Sequence, residues 1–192
     1  MHRHIKSYFA ISCKDSKRFH RFDDVDFVEV VEAIDSRTDP IKCCEDNKFE
    51  IEIKEEFIKH YDKCIGAYGC FMSHHYLWEK ISSFNDDFFY CILEDDVRIG
   101  QLKKFYELNY FPKKSLVNIN YRLNNGADAY ILNKQMADLL INECNRTLTH
   151  PVDKFMFEHI AQMYPNLFEQ DSYIDIDHRF RKPRNRDILK RK

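Results

Sequence analysis

The stretch Phe88–Asp96 (FFYCILEDD) sets six apolar or aromatic residues directly before three carboxylates. A continuous apolar run of this length is typical of a strand buried on both faces of a parallel sheet. In open α/β sheets, ligands bind at the edge where the parallel strands end. The sequence therefore predicts a strand over residues 88–93, with Glu94, Asp95 and Asp96 at the ligand-binding edge of an α/β sheet.

The acidic triplet has two interpretations. Adjacent carboxylates repel one another unless a cation or solvent offsets their charge. Their oxygens suit Mg²⁺ or Mn²⁺, which can also bridge a substrate diphosphate. The other interpretation is a solvated acidic turn, but the position directly after a buried strand favours the metal site.

Strand and helix patterns alternate along the rest of the chain. Strands are predicted over residues 7–12, 26–33 and 129–132. Helices are predicted over residues 66–82, 134–144 and 151–163, and residues 54–60 are a further helical candidate. This alternation is typical of helices packed on a mostly parallel, Rossmann-like sheet, here in one compact domain over residues 1–178.

The predicted helix 66–82 carries polar residues that could serve a site. Cys70 and His74 share its apolar face, and Ser73 lies beside them. Backbone N–H groups at its N-terminus could hold an anion. A histidine on an apolar face is also explained as a hydrogen-bonded core residue. The spacing of Cys64, Cys70 and His74 matches no common structural zinc site, so it does not predict one.

Two of these segments resemble glycosyltransferase family 25, which includes bacterial lipooligosaccharide glycosyltransferases and procollagen galactosyltransferases. Residues 66–78 (GAYGCFMSHHYLW) match the pattern G-x-x-G-C-x-x-S-H-x-x-x-W, and residues 92–97 (ILEDDV) match the apolar strand that ends in EDD. The similarity extends over most of residues 7–175. It includes the segments 11–18 (ISCKDSKR), 33–35 (AID), 126–132 (GADAYIL) and 151–153 (PVD).

The resemblance implies a GT-A type fold, Mn²⁺ or Mg²⁺, and inverting transfer of a sugar from a UDP-sugar, galactose or a related hexose, to a glycan or hydroxylated protein acceptor. It implies that Glu94 and Asp96 contact the metal and that Asp153 takes the acceptor hydroxyl proton. The alternative for Asp153 is an acid that favours a helix N-terminus. The residues implied in donor binding are Ser12, Lys14, Arg18, Asp35, Ser73, His74 and Asp95, where Lys14 and Arg18 have surface charge as their alternative role.

The chain departs from the family pattern between Asp96 and Gly126. Only 29 residues separate them, fewer than is typical of the family. This short segment, of which residues 115–122 suggest a remaining strand, motivates an alternative hypothesis of an inactive relative that acts as a binding module. The retained EDD and S-H-x-x-x-W elements favour an enzyme.

The chain has 192 residues and a net charge of −2, divided unevenly. Residues 179–192 carry eight basic residues and one acidic residue, a net charge of +7, which leaves −9 for residues 1–178. This basic tail is either a solvated terminus or a contact for an anionic partner. The acidic body makes nucleic acid an unfavourable partner.

The lack of a recognisable targeting signal and the pattern of cysteines favour a reducing compartment. No stretch approaches the roughly 18 apolar residues of a membrane helix, and the N-terminus lacks the pattern of a signal peptide. The seven cysteines include no Cys-x-x-Cys pair and are odd in number, which argues against a disulfide scaffold. We therefore expect a soluble cytoplasmic protein.

Overall fold

A six-stranded sheet forms the centre of the computed structural model, which describes residues 5–120 and 126–175. The strands in chain order are β1 (Ile5–Ser12), β2 (Val28–Glu32), β3 (Glu50–Ile51), β4 (Phe89–Glu94), β5 (Leu116–Asn120), β6 (Ala129–Asn133), β7 (Thr147–Leu148) and β8 (Phe168–Ile174). The helices are α1 (Pro40–Asp46), α2 (Glu55–Lys63), α3 (Gly66–Ser82), α4 (Ile99–Glu107), α5 (Lys134–Cys144), α6 (Val152–Lys154) and α7 (Ala161–Met163). The predicted basic tail, residues 179–192, lies outside the described residues.

The strand order in the large sheet is β2-β1-β4-β6-β5-β8, and β3 pairs with β7 separately. β1 is parallel to β2 and β4, and β5 is parallel to β8, whereas β6 is antiparallel to both β4 and β5. This mostly parallel sheet with flanking helices confirms the predicted α/β class and agrees with a GT-A type fold.

The register brings three chain segments to one edge of the sheet. Glu94 at the end of β4 pairs with Ile11 near the end of β1. Because β6 runs antiparallel to β4, its beginning lies beside the end of β4, and Leu93 pairs with Ala129. Asp128, which precedes β6, therefore meets Glu94, whose backbone N–H donates to the Asp128 carbonyl at 2.8 Å.

Apolar layers cover both faces of the sheet. Side chains alternate along β4, so that Tyr90 and Ile92 pack in one buried cluster with Trp78 of α3. Leu93 packs in the opposite cluster with Phe105 of α4. The predicted burial of this strand on both faces is confirmed, although only its β1 side is a parallel pairing.

The predicted helices agree closely with the structure. α3 and α5 have the predicted bounds. The helical candidate over residues 54–60 is also present as α2, which begins one residue later and ends three residues later than predicted. The helix predicted over residues 151–163 is divided into α6, a π-helical segment Phe155–Ile160, and α7. The sequence patterns did not predict α1, α4 or β8, of which the last is an edge strand of mostly half-buried residues.

Within residues 5–120 and 126–175, no helix combines the length and the apolar character that a membrane span requires.

Gly69 of α3 lies against the loop after β2. Its N–H donates to Ser36 Oγ at 2.8 Å, and a Cβ at this position would collide with the Ile34 carbonyl oxygen. We expect Gly69→Ala to lower the free energy of unfolding by about 2 kcal/mol, because backbone must shift to admit the methyl group. Gly66→Ala is the matched control, since nothing lies within 4 Å of a Cβ there. Equal urea midpoints for the two variants would contradict this close packing.

His150 is a buried imidazole between β7 and α6. Its Nδ1 lies 2.7 Å from Thr149 Oγ1, and burial, reinforced by the charges of Lys54 and His159, lowers its pKa from 6.5 to about 4. Between these values the unfolded chain binds a proton that the folded chain does not, so stability falls as the pH falls. At about 1.4 kcal/mol per pKa unit, we expect this group to contribute about 3 kcal/mol of that loss between pH 7 and about pH 4.

Denaturant titrations between pH 7 and about pH 4 in the wild type and His150→Gln test this contribution. The variant should show the shallower loss of stability with acid. His20→Gln, which removes a solvent-exposed imidazole, is the control. Identical pH profiles for the wild type and His150→Gln would contradict the prediction.

Candidate active site

A cavity of about 170 Å³ lies at the carboxyl ends of β1, β2 and β4. Six of the seven residues predicted for donor binding line it, together with Glu94; the seventh, Lys14, is exposed and does not. The lining residues are Ile11, Ser12, Cys13, Arg18, Ala33, Ile34, Asp35, Ser36, Gly66, Cys70, Ser73, His74, Glu94 and Asp95. The structure thus gathers residues from four segments of the sequence at the expected edge of the sheet.

Asp95 is fixed in place by contacts to both of its carboxylate oxygens. Ser12 Oγ donates to Oδ2 at 2.7 Å, and Arg18 Nη1 lies 2.8 Å from Oδ1. The guanidinium of Arg21 donates to the Asp95 carbonyl and, at 3.0 Å, to the Val97 carbonyl. Two arginines therefore hold the turn after β4 in one conformation, and Arg18 also brings positive charge to the cavity.

Three carboxylates converge beside this turn. Glu94, Asp96 and Asp128 each offer an oxygen, and these oxygens lie within 4.8 Å of one another. Burial and the nearby charges of Asp96 and Asp95 raise the pKa of Glu94 to about 8, and burial also raises the pKa of Asp96. Asp96 Oδ1 is buried and has no hydrogen-bond partner among the described residues. Arg18 Nη1, 3.9 Å from Asp96 Oδ2, offsets part of this charge. An all-oxygen set of mutually repelling carboxylates fits a hard divalent cation.

Asp128 is the site residue that the sequence did not predict. It lies within the matched segment 126–132, which suggested only a strand. Asn120 Nδ2 donates to its Oδ2 and so orients the carboxylate. In the sequence, Asp128 is marked only as an acid directly before a predicted strand. This position indicates a site residue only once β6 is known to run antiparallel to β4, because the start of β6 then lies beside the end of β4.

His74 is fully buried and has two different ring environments. Its Nδ1 lies 2.8 Å from the Tyr130 hydroxyl, which also accepts a hydrogen bond from Trp78 Nε1 at 3.0 Å. Its Nε2 lies 3.4 Å from Glu94 Oε1. Burial lowers the pKa of His74 to about 4, so the imidazole is neutral near pH 7. Nδ1 thus makes a hydrogen bond within the core, whereas Nε2 faces the cavity.

Ser73 and Asp35 are engaged with neighbouring protein groups. Ser73 Oγ donates to the Gly69 carbonyl at 2.6 Å and accepts from Ile34 N–H at 2.8 Å, which ties α3 to the loop after β2. Asp35 accepts from Arg37 at 2.7 and 2.6 Å, and these hydrogen bonds lower its pKa to about 2. Both residues line the cavity, where Asp35 presents a permanent negative charge.

A comparison with known protein families agrees with this geometry. The model described as "Glycosyltransferase family 25 (LPS biosynthesis protein)" matches residues 9–122, which is more than half of the chain. The chain belongs to glycosyltransferase family 25. A similar curated protein is the "Glycosyltransferase 25 family member" of Aedes aegypti, which is 26% identical over an alignment of 173 positions that covers 73% of this chain and 28% of the relative. The chain therefore spans little more than a quarter of that relative's length.

The part of this family 25 chain that matches the family model contains the cavity lining and the acidic triplet, whereas Asp128 and Asp153 lie beyond residue 122. Asp153 occupies the first turn of α6 and is half-buried. Burial raises the pKa of its carboxyl, and its charge in turn contributes to the raised pKa values of Glu94 and Cys70. Asp153 is thus electrostatically coupled to the carboxylate cluster, although it does not line the cavity itself.

Proposed function

We propose that this family 25 chain transfers a hexose, galactose or a close relative, from a UDP-sugar to a hydroxyl group of a glycan or hydroxylated protein, with inversion and with Mn²⁺ or Mg²⁺. The observation that carries the proposal is the cluster of Glu94, Asp96 and Asp128 beside a cavity at the carboxyl edge of the sheet. Ligand binding at this edge is the general behaviour of open α/β sheets.

The donor side of the proposal rests on the lining of the cavity. Ala33 and Asp35, in the loop that follows β2, would contact the nucleoside, and Arg18 would face the diphosphate. Gly66 begins α3 and lines the cavity, so the positive end of the helix dipole adds to this anion site. A divalent cation held by the three carboxylates would neutralise charge on the departing diphosphate.

The acceptor side of the proposal assigns proton removal to Asp153. Inversion requires the acceptor hydroxyl to attack the face of the sugar opposite the leaving diphosphate, and its proton must pass to a base on that side. The raised pKa of Asp153 makes its carboxylate a stronger base than an exposed aspartate. In this mechanism the proton passes from the acceptor oxygen to an Asp153 carboxylate oxygen as the new glycosidic bond forms.

The short segment after Asp96 does not remove the strand expected there. β5 (Leu116–Asn120) is present and fully buried, between β6 and β8. The three carboxylates also converge, and Asn120 orients Asp128. These observations favour transfer over a binding module that has lost turnover.

A thermal-shift panel tests the proposed donor. It uses UDP, UDP-galactose, UDP-glucose, UDP-N-acetylglucosamine and GDP-mannose, each with and without Mn²⁺. We expect stabilisation by a UDP-sugar that requires Mn²⁺, of about 2.7 kcal/mol when the ligand is at about 100 times its Kd. GDP-mannose is the control for nucleotide selectivity. The absence of a shift with every nucleotide would overturn the proposal and favour the binding-module alternative.

A further inference from the structure

We propose that Cys70, His74 and Glu94 form a second cation site, one that takes Zn²⁺ and competes with the oxygen-ligated site for Glu94. The three side chains offer a thiol sulfur, an imidazole nitrogen and a carboxylate oxygen, all within 4.8 Å of one another. Thiolate and imidazole ligands select zinc over magnesium or manganese. This inference goes beyond the proposed function, and its test does not require donor binding.

Both distances from the Glu94 oxygen to the other two ligand atoms match tetrahedral zinc. Cys70 Sγ lies 3.6 Å from Glu94 Oε1, and His74 Nε2 lies 3.4 Å from the same oxygen. With zinc bonds of about 2.3 Å to sulfur and about 2.0 Å to nitrogen and oxygen, tetrahedral angles give about 3.5 Å for S···O and about 3.3 Å for N···O. Glu94 is therefore already placed at zinc-binding distances from both Cys70 and His74.

His74 supplies the independent indication of a ligand. It is 0% exposed, and its Nε2 has no hydrogen-bond partner within residues 5–120 and 126–175. A buried polar atom without a partner is costly unless something binds it. Nδ1 lies 2.8 Å from the Tyr130 hydroxyl, which also accepts a hydrogen bond from Trp78 Nε1. In the tautomer that carries its proton on Nδ1, the imidazole donates to this hydroxyl and directs its Nε2 lone pair at the cluster; zinc binding would select that tautomer. Hydrogen bonds of this kind orient metal-ligating histidines.

The site would remain open on one side. Cys70 and His74 lie one turn apart on α3, while Glu94 comes from β4, and all three line the cavity. Three protein ligands leave a fourth zinc position for water or a phosphate oxygen. Glu94 belongs to both clusters. Zinc bound to Glu94 would compete with a cation held by Asp96 and Asp128 for this ligand, so we expect Zn²⁺ to weaken Mn²⁺ binding there.

The sequence alone did not indicate this site because its third ligand is distant in the chain. Cys64, the nearest other cysteine, is exposed and does not join the cluster. Glu94 follows His74 by 20 residues and reaches it only through the packing of α3 on β4. No short spacing pattern can therefore reveal the site.

Cobalt titration of the full chain tests the proposal directly. Co²⁺ replaces zinc and gives a thiolate-to-metal charge-transfer band in the near ultraviolet together with intense visible bands when the geometry is tetrahedral. We expect one equivalent of Co²⁺ to produce these bands and Zn²⁺ to remove them. Cys70→Ser should abolish the charge-transfer band, and His74→Gln should weaken cobalt binding by at least about tenfold.

Two matched variants separate the alternatives. Cys13→Ser changes the other cysteine that lines the cavity and should keep the band; a band lost in Cys13→Ser but kept in Cys70→Ser would overturn the assignment. Asp128→Asn removes a ligand of the oxygen cluster only and should also keep it. Loss of the band in Asp128→Asn would mean that the two sites are not distinct, which also overturns the proposal. Circular dichroism establishes that each variant is folded, and failure of UDP to bind would leave the cobalt result unaffected.

Discussion

Asp96→Asn is expected to eliminate the Mn²⁺ dependence of UDP binding while leaving the fold intact. Asp96 contributes one of the three converging oxygens, and its Oδ1 is buried without a hydrogen-bond partner in the described part of the chain. With Mn²⁺ present, the affinity for UDP should fall by at least about tenfold, to the value that the wild type shows without metal. Calorimetric titration of UDP in the presence and absence of Mn²⁺ measures both values.

The same variant should unfold at an equal or higher temperature than the wild type in the absence of metal. Asp96 is the neighbouring charge that contributes most to the raised pKa of Glu94, so removing it relieves repulsion. Asp62→Asn, an exposed acid on α2, is the control for loss of a negative charge. Unchanged UDP affinity and unchanged metal dependence in Asp96→Asn would exclude Asp96 from the cation site.

Asp153→Asn is expected to lower the rate of sugar transfer by about 10²- to 10⁴-fold, the usual contribution of a general base. Donor binding should stay within about twofold of the wild type, because Asp153 does not line the donor cavity. The measurement is transfer kinetics with a saturating UDP-sugar alongside a separate UDP titration.

Glu158→Gln is the matched control for this variant. Glu158 lies in the π-helical segment that follows α6 and pairs with Lys154. The substitution therefore removes a nearby negative charge that is not part of the carboxylate cluster. A normal transfer rate in Asp153→Asn would assign the base to another residue. A parallel loss of stability and donor binding would instead assign Asp153 a structural role at the start of α6.

Local patterns in the sequence predicted the central elements of the fold. Residues 88–93 are all apolar or aromatic, which indicates a strand buried on both faces. Residues 66–82 have apolar residues at helical spacing and glycines at the start, which indicates a helix. α1 was obscured by its charged surroundings, although Asp39 accepts from Lys42 N–H and Pro40 begins the helix. α4 buries only Leu102 and Phe105, which is too few apolar residues for a clear helical pattern.

The candidate site was predictable only where its residues follow their strands directly. Ser12, Glu94, Asp95 and Asp96 come at or just after the ends of β1 and β4, so their meeting follows from parallel pairing. Asp128 required the direction of β6, which no local pattern encodes. The same limit applies to the link between Cys70 and Glu94, because the packing of a helix on a strand is a tertiary property.

Electron paramagnetic resonance of Mn²⁺ tests the central claim most directly, because free Mn²⁺ gives a sharp signal that is lost on binding. We expect the wild-type chain to bind one Mn²⁺ through the carboxylate cluster and UDP to tighten this binding. We expect Asp96→Asn to bind neither the ion nor UDP in a metal-dependent way. A wild-type chain whose Mn²⁺ signal is unaffected by UDP would contradict the assignment of this edge of the sheet as a cation-dependent donor site.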